Sequence, residues 1–336
     1  MFNFDTDRYK KVLKDALSLR ASIEESADAI SKLGFSNIFF IGCGGTYSHY
    51  LPMKYMLDTQ TEIESHTVIA SEFMLMNHKK FSSNSLCVFS TRSGTTKEIV
   101  QAANFCREGG ARVAMYVSNA DTPACEHADY LFTSFAEDDN LAEAIYLTNL
   151  TFLTRLAHNA GNFNDYKTFA DGLAQLPPYL IKGKEIYEDR CKALAERHKE
   201  TDYHMVVGSG YTWGEAYDYA MCILEEMQWI KTKSIHAAEF FHGTLELIEE
   251  GTSIILLYGE DETRPLMDRV KAFSEKYTKE IAVFDTSEVE LPLSTEHRKI
   301  VSPMVIYTLL ERFSCHIERV RNHPLTTRRY YGQMDY

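Results

Sequence analysis

Apolar positions in the first thirty-odd residues recur at spacings of three and four, with Tyr9, Val12, Leu13, Ala16 and Leu17 on one stripe, which predicts helix. Gly34 ends the pattern, and Asn37 to Gly42 follows as a short, continuously apolar run. A run with no polar face fits a strand buried on both sides, as in a parallel sheet. Further strands are predicted over 62–68, 86–90, 112–117 and 129–133, alternating with helices over 47–57, 95–108 and 141–157. Strands alternating with helices predict right-handed crossovers and a doubly wound sheet.

From His158 to Pro178 the pattern loosens around Gly161, Asn162, Asn164, Gly172 and the Pro177-Pro178 pair, which reads as an interdomain connection. Then it restarts: helix over 179–200, strand over 202–208 ending in Gly208-Ser209-Gly210, and helix over 211–230. Strands over 252–258 and 280–284 follow, with helices over 264–277 and 302–321. The order helix, strand ending in Gly-x-Gly, helix thus occurs twice, which points to an internal duplication and agrees with a length of 336 residues.

Composition adds limits. Apolar residues at 45% and charged residues at 25% support a full core. A net charge of −13 opposes nucleic acid and anionic membrane as partners, because both require a basic surface. An anionic small molecule stays open, since a phosphate pocket is a local arrangement of amides and a few side chains. The N-terminal stretch is charged throughout and lacks the apolar core of a signal peptide, and no apolar run approaches the ~20 residues that span a bilayer. The seven cysteines are scattered, with no pair at C-x-x-C spacing, so they read as reduced thiols. The expectation is a cytoplasmic protein without a disulfide framework or zinc cluster.

Two strand-to-helix turns carry candidate chemistry. In Gly42-Cys43-Gly44-Gly45-Thr46, glycines permit close backbone approach and the following helix offers unpaired N–H groups; a tight turn and a ligand site are both open readings. The dinucleotide fingerprint would need glycine at Tyr47, and the phosphate-loop motif is absent. The second turn, Ser90-Thr91-Arg92-Ser93-Gly94-Thr95-Thr96, holds five hydroxyls in seven residues. One hydroxyl suffices to cap a helix, and we expect one to do so; the surplus fits a phosphate cradle at the carboxyl end of a parallel strand.

These turns resemble the phosphosugar-binding module of the sugar isomerase (SIS) superfamily, with its Gly-rich turn and S-x-S-G-x-T loop, here Thr91-Arg92-Ser93-Gly94-Thr95-Thr96. Glu226-Met-Gln-Trp229 followed by Glu239-Phe-Phe-His242-Gly243 is similar to the isomerase half of glucosamine-6-phosphate synthase, and more so to fructosamine-6-phosphate deglycases. Asn322 to Tyr331 resembles the tail of the deglycase branch, especially enzymes acting on 6-phosphofructose-amino acids. The resemblance implies an α/β fold of two tandem SIS domains, each a doubly wound, mainly parallel five-stranded sheet flanked by helices. Its expected divisions are an N-terminal helix (1–36), the phosphate-binding domain (37–160), a linker (161–178), the catalytic domain (179–322) and a tail over the active site (323–336).

The resemblance also implies a reaction: a 6-phosphofructosyl-amino acid plus water gives glucose 6-phosphate and the free amino acid. A proton moves from C1 toward C2, the ketosamine becomes a C1 imine, and water hydrolyses it, with no cofactor and no metal. Glu226 is then the base, His242 the acid, and Thr91, Ser93, Thr95 and Thr96, with Thr46, the phosphate ligands. Gly44, Gly45, Glu239, Arg328 and Arg329 are further substrate-binding candidates, an arginine being suited to clamp the amino-acid carboxylate. On a regular helix Glu226 shares a face with Cys222, Trp229 and Ile230, which would desolvate the carboxylate; periodicity alone does not choose between it and Glu225. His236 and His242 do not form H-E-x-x-H, and helical spacing puts them on different faces, so no metal site is expected. His236 reads as a core histidine.

The nearest rival is a glucosamine-6-phosphate synthase, deaminase-like enzyme or aldose–ketose isomerase. The synthase forms its imine with a lysine near the C-terminus, whereas no lysine follows Lys299 here and no glutaminase domain precedes the first SIS domain. A non-catalytic phosphosugar sensor is the other rival, but such regulators carry a DNA-binding segment for which the first 36 residues are too short. The implied assembly is a homodimer or larger homo-oligomer, with Glu226 and His242 able to come from different subunits.

Overall fold

The computed structural model describes residues 1–135 and 142–334. They form two units: Asp5–Pro177, and the chain from Pro178 onward together with Met1–Phe4.

In the N-terminal unit, α1 (Thr6–Ser18) and α2 (Arg20–Leu33) precede β1 (Asn37–Gly42), α3 (Gly45–Gln60), β2 (Ser65–Ile69) and α4 (Ala70–Met76). There follow β3 (Ser85–Thr91), α5 (Lys97–Glu108), β4 (Arg112–Val117), β5 (Tyr130–Thr133), α6 (Ala142–Asn159) and α7 (Tyr166–Leu173). The start of the predicted helix at Leu141 lies outside the described residues. The five strands are parallel, in the order β2-β1-β3-β4-β5. Every residue of β1 and β3 is buried because both faces are covered. Phe39, Ile41, Cys87 and Phe89 face a cluster with Phe73 of α4 and Ile99 of α5. On the opposite face Phe40 stacks on Tyr50 of α3, and Tyr116 on Phe132. The stretch expected as a connection contains α7.

In the C-terminal unit, α8 (Leu176–His198) leads to β6 (Tyr203–Gly208), α9 (Trp213–Asp218), α10 (Glu226–Gln228), β7 (Lys231–His236), β8 (Ser253–Tyr258), α11 (Arg264–Ser274), β9 (Ile281–Asp285) and α12 (Thr295–Arg321). Its sheet is parallel, in the order β7-β6-β8-β9. That corrects the expected five strands to four among the described residues. β7 escaped prediction because it is an edge strand, Lys-Thr-Lys-Ser-Ile-His, with only Ile235 buried.

The long helix expected over 211–230 is not one helix. It runs as a 3₁₀ turn (Gly210–Thr212), α9, a π-helical segment (Tyr219–Glu225) and α10. A π turn shifts the side-chain register, so Cys222, inside that segment, does not keep the place relative to Glu226 drawn for 3.6 residues per turn. Trp229 then ends the segment in the left-handed region at φ 56°. The last helix starts seven residues before the expected Ser302, at Thr295, capped by Ser294, and continues through Pro303.

Candidate active site

Strand β1 has β2 on one side and β3 on the other, and the connections after β1 and β3 leave in opposite directions. This is the topological switch point of a doubly wound sheet, where ligands bind beyond the carboxyl ends of the strands. Both turns singled out in the sequence lie there: 43–46 after β1, and 92–96 after β3.

The hydroxyls in these turns do different jobs. Thr46 Oγ1 closes its own turn, accepting from the Cys43 N–H at 3.2 Å and donating to the Cys43 carbonyl at 3.0 Å. Thr91 Oγ1, buried, accepts from Gly94 N–H at 3.2 Å, and Ser93 Oγ from Thr95 N–H at 3.3 Å. Thr96 stands at the N-cap of α5 but makes no side-chain cap bond, so the expected hydroxyl cap is absent. Gly94 sits at φ 65°, and a Cβ there would overlap the Thr122 side chain. Gly44, at φ 53°, and Gly45 bring the backbone round into α3. Burial, with Glu98 adding, pushes the Cys43 thiol up to about 11, which leaves it protonated and a poor nucleophile.

In the C-terminal unit, a cavity of about 750 Å³ is lined by Glu225, Glu226, Trp229, Ile230, Lys231, Thr232 and the tail residues Arg328 to Tyr331. Glu226 opens α10, its side chain 30% exposed, and pairs with Arg328 Nε at 2.8 Å. Of the expected apolar neighbours Trp229 and Ile230 line the cavity with Glu226 and Cys222 does not, and the ion pair with Arg328 favours the charged carboxylate that a base requires. Arg328 also donates to the carbonyls of Leu325 at 2.6 Å and Thr327 at 3.1 Å. Arg329 lies over the Trp229 ring at 4.1 Å, and His323 meets the same ring edge-on. Gln228 anchors this tail by donating to the His323 carbonyl at 2.7 Å. Glu225 accepts instead from the Thr232 hydroxyl at 2.5 Å, so the two adjacent glutamates, which periodicity could not separate, have different partners.

The cavity brings together Glu226, Arg328 and Arg329, but not His242 or Glu239. His242 ends a 3₁₀ turn (Phe240–His242) before Gly243 at φ 147°. It is exposed, and among the described residues its ring makes no hydrogen bond or ion pair. Glu239 is exposed on the same turn. His236 accepts the Ala238 N–H on Nδ1 at 3.2 Å and packs edge-on to Trp213. Burial pushes it below the ordinary histidine range, with Glu239 opposing, as suits a neutral packed imidazole. Among the described residues no three His, Cys, Asp or Glu are grouped to hold a metal, and no helix is long and apolar enough to cross a membrane. Lys231 and Thr232 were missed as lining residues because β7 was missed.

Comparison with known proteins shows the family and the fold. The SIS domain model matches residues 35–157. The chain is 33% identical over 307 residues to fructosamine deglycase FrlB of Bacillus subtilis, covering 89% of this chain and 92% of that protein. It is 25% identical over 332 residues to fructoselysine 6-phosphate deglycase of Escherichia coli, covering 96% and 92%. A solved structure from Bacillus subtilis, described as a phosphosugar isomerase, superposes with a TM-score of 0.87 at 31% identity, over 95% of this chain and 99% of that one. The chain belongs to the SIS-domain family, in the branch that holds the fructosamine and fructoselysine 6-phosphate deglycases.

Proposed function

We propose that this protein is a deglycase that hydrolyses a 6-phosphofructosyl amine to glucose 6-phosphate and the free amine. The observation that carries this reading is the Glu226 carboxylate, held by Arg328 of the tail in a cavity, in a chain one-third identical to a fructosamine deglycase over most of both lengths.

The substrate carries its nitrogen on C1 and a ketone at C2. Glu226 takes the C1 proton, the electron pair left on C1 forms the C1–C2 double bond, and the C2=O π pair moves onto O2, which takes a proton to give an enaminol. At C2 the C1–C2 pair takes up a proton while the nitrogen lone pair forms C1=N and the N–H proton leaves, which gives an imine. Water adds to C1, the C1–N bond breaks, and nitrogen leaves with a proton as the free amine. One water is consumed, and no redox change occurs overall. Glu226 needs only to be ionised and placed, which the 2.8 Å pair with Arg328 favours. Arg329, spread over Trp229, is the candidate clamp for a carboxylate on the amine.

Thr91, Ser93, Thr95 and Thr96, with Thr46, Gly44 and Gly45, are read as the phosphate cradle. Their position at the switch point of the N-terminal sheet supports that. His242 is read as the acid that opens the sugar ring, with Glu239 beside it. Its absence from the Glu226 cavity supports a site completed by a second chain, in keeping with a homo-oligomer.

Purified protein supplied with a 6-phosphofructosyl-amino acid is expected to release glucose 6-phosphate and amino acid in equal amounts. Conversion of fructose 6-phosphate with ammonia, and none of the ketosamine, would favour the synthase-like alternative. Binding without turnover would favour a sensor.

A further inference from the structure

The C-terminal sheet has its own switch point: β6 lies between β7 and β8, so the turns after β6 and β8 border one crevice. A side chain of the protein itself fills that place. Asp261, 5% exposed, accepts the N–H of Tyr211 at 3.1 Å, the N–H of Thr263 at 2.8 Å and the Thr263 hydroxyl at 2.5 Å. The Thr263 hydroxyl is in turn 2.8 Å from Ser209 Oγ.

Two glycines, one from each turn, back onto the carboxylate. A Cβ on Gly210, at φ 51°, would lie 2.5 Å from Asp261 Oδ1, and one on Gly259 would lie 3.1 Å from Oδ2. The flanking acids each have a cation: Glu260 pairs with Arg298 at 2.7 Å, and Glu262 with Lys299 at 2.8 Å. Among the described residues Asp261 has none. A buried carboxylate without a cation is costly unless its surroundings are built to hold an anion. Backbone N–H groups, a hydroxyl and glycines that let the backbone close in are such surroundings.

The turns of the N-terminal sheet differ in the relevant respect. Thr91 to Thr96 includes one arginine and no acid, whereas Gly259 to Thr263 includes three acids. We propose that Asp261 is an internal anion seated where the second crevice would otherwise take a phosphate, so that each chain binds one sugar phosphate, on the N-terminal sheet. The stoichiometry rests on reading Thr91–Thr96 as the phosphate cradle; the occupation of the second crevice does not.

Equilibrium dialysis of the full-length chain against radiolabelled inorganic phosphate tests both parts. Wild type is expected to take one equivalent per chain and Asp261→Gly two. Asp261→Gly combined with Ser93→Ala and Thr96→Ala is expected to keep one. Two equivalents on wild type, or no gain on a folded Asp261→Gly chain, would overturn the proposal. No phosphate on wild type but one equivalent on Asp261→Gly would refute the cradle reading alone and support the plug. Asp261→Ser, which keeps a hydroxyl acceptor in the turn, replaces the glycine variant if that one does not fold.

Discussion

Glu226 and Arg328 are 102 positions apart in sequence, yet their side chains meet at 2.8 Å, and the base proposed here depends on that meeting. Glu226→Gln keeps the shape and removes the basicity, so kcat should fall by about a hundredfold or more, in the range of a positioned base. His242→Asn should do the same through the loss of the acid. Arg328→Gln leaves Glu226 without its cation, and kcat for ketosamine cleavage should drop at least about tenfold, roughly 1.4 kcal/mol. Steady-state assays of glucose 6-phosphate release check all three, and near-normal kcat in any of them removes that residue from its role. At this scale the sequence made the residue types legible through their motif, but not their partners. The expected place of Cys222 beside Glu226 assumed a uniform helix, which the π-helical segment Tyr219–Glu225 interrupts, whereas Trp229 and Ile230 do share the cavity wall with Glu226.

Among the elements, continuous apolar runs such as Asn37–Gly42 were legible because a strand covered on both faces has no polar side. Edge strand β7 was not, since one buried residue in six leaves no pattern to read. With it went Lys231 and Thr232 of the cavity wall. The hydroxyl loop was legible as a cluster, while the absence of a side-chain cap at Thr96 was not, because capping depends on backbone angles the sequence does not display. The loop's shape rests on Gly94: an alanine would need the left-handed region and would overlap Thr122, at a cost of about 1–3 kcal/mol. Gly94→Ala should therefore lower the denaturation midpoint and raise KM for the phosphorylated substrate. An unchanged KM would detach the loop from phosphate binding.

At the scale of the whole molecule, the duplication read from two Gly-x-Gly turns corresponds, among the described residues, to two parallel sheets, one with five strands and one with four. One source of acid sensitivity lies in the C-terminal unit. Burial, with His198 and Arg321 adding, pushes His204 down to about 3, and its Nδ1 lies 2.7 Å from Ser253 Oγ. A folded-state value below the unfolded one gives stability that is present above about pH 6.5 and lost as pH falls toward the folded value. Urea midpoints should fall over that window in wild type and less steeply in His204→Gln; parallel slopes would contradict this. Burial alone would raise Glu311, but Lys184 and Arg312 outweigh it and hold it at about 2. Its share is present above about pH 4.3 and is lost as pH falls toward 2.

Assembly gives a further test. If His242 serves the Glu226 of another chain, mixing inactive Glu226→Gln and His242→Asn proteins under subunit exchange should restore up to about a quarter of wild-type activity in a dimer, the statistical share of sites with both groups intact. No recovery despite demonstrated exchange would place both groups in one chain.

The most direct measurement follows glucose 6-phosphate and free amino acid together when wild type and Glu226→Gln are each given a 6-phosphofructosyl-amino acid. The account predicts equal release of both products by wild type and a rate about a hundredfold lower or less in the variant. Normal release by Glu226→Gln, or none by folded wild type across acidic, neutral and basic amines, would contradict it.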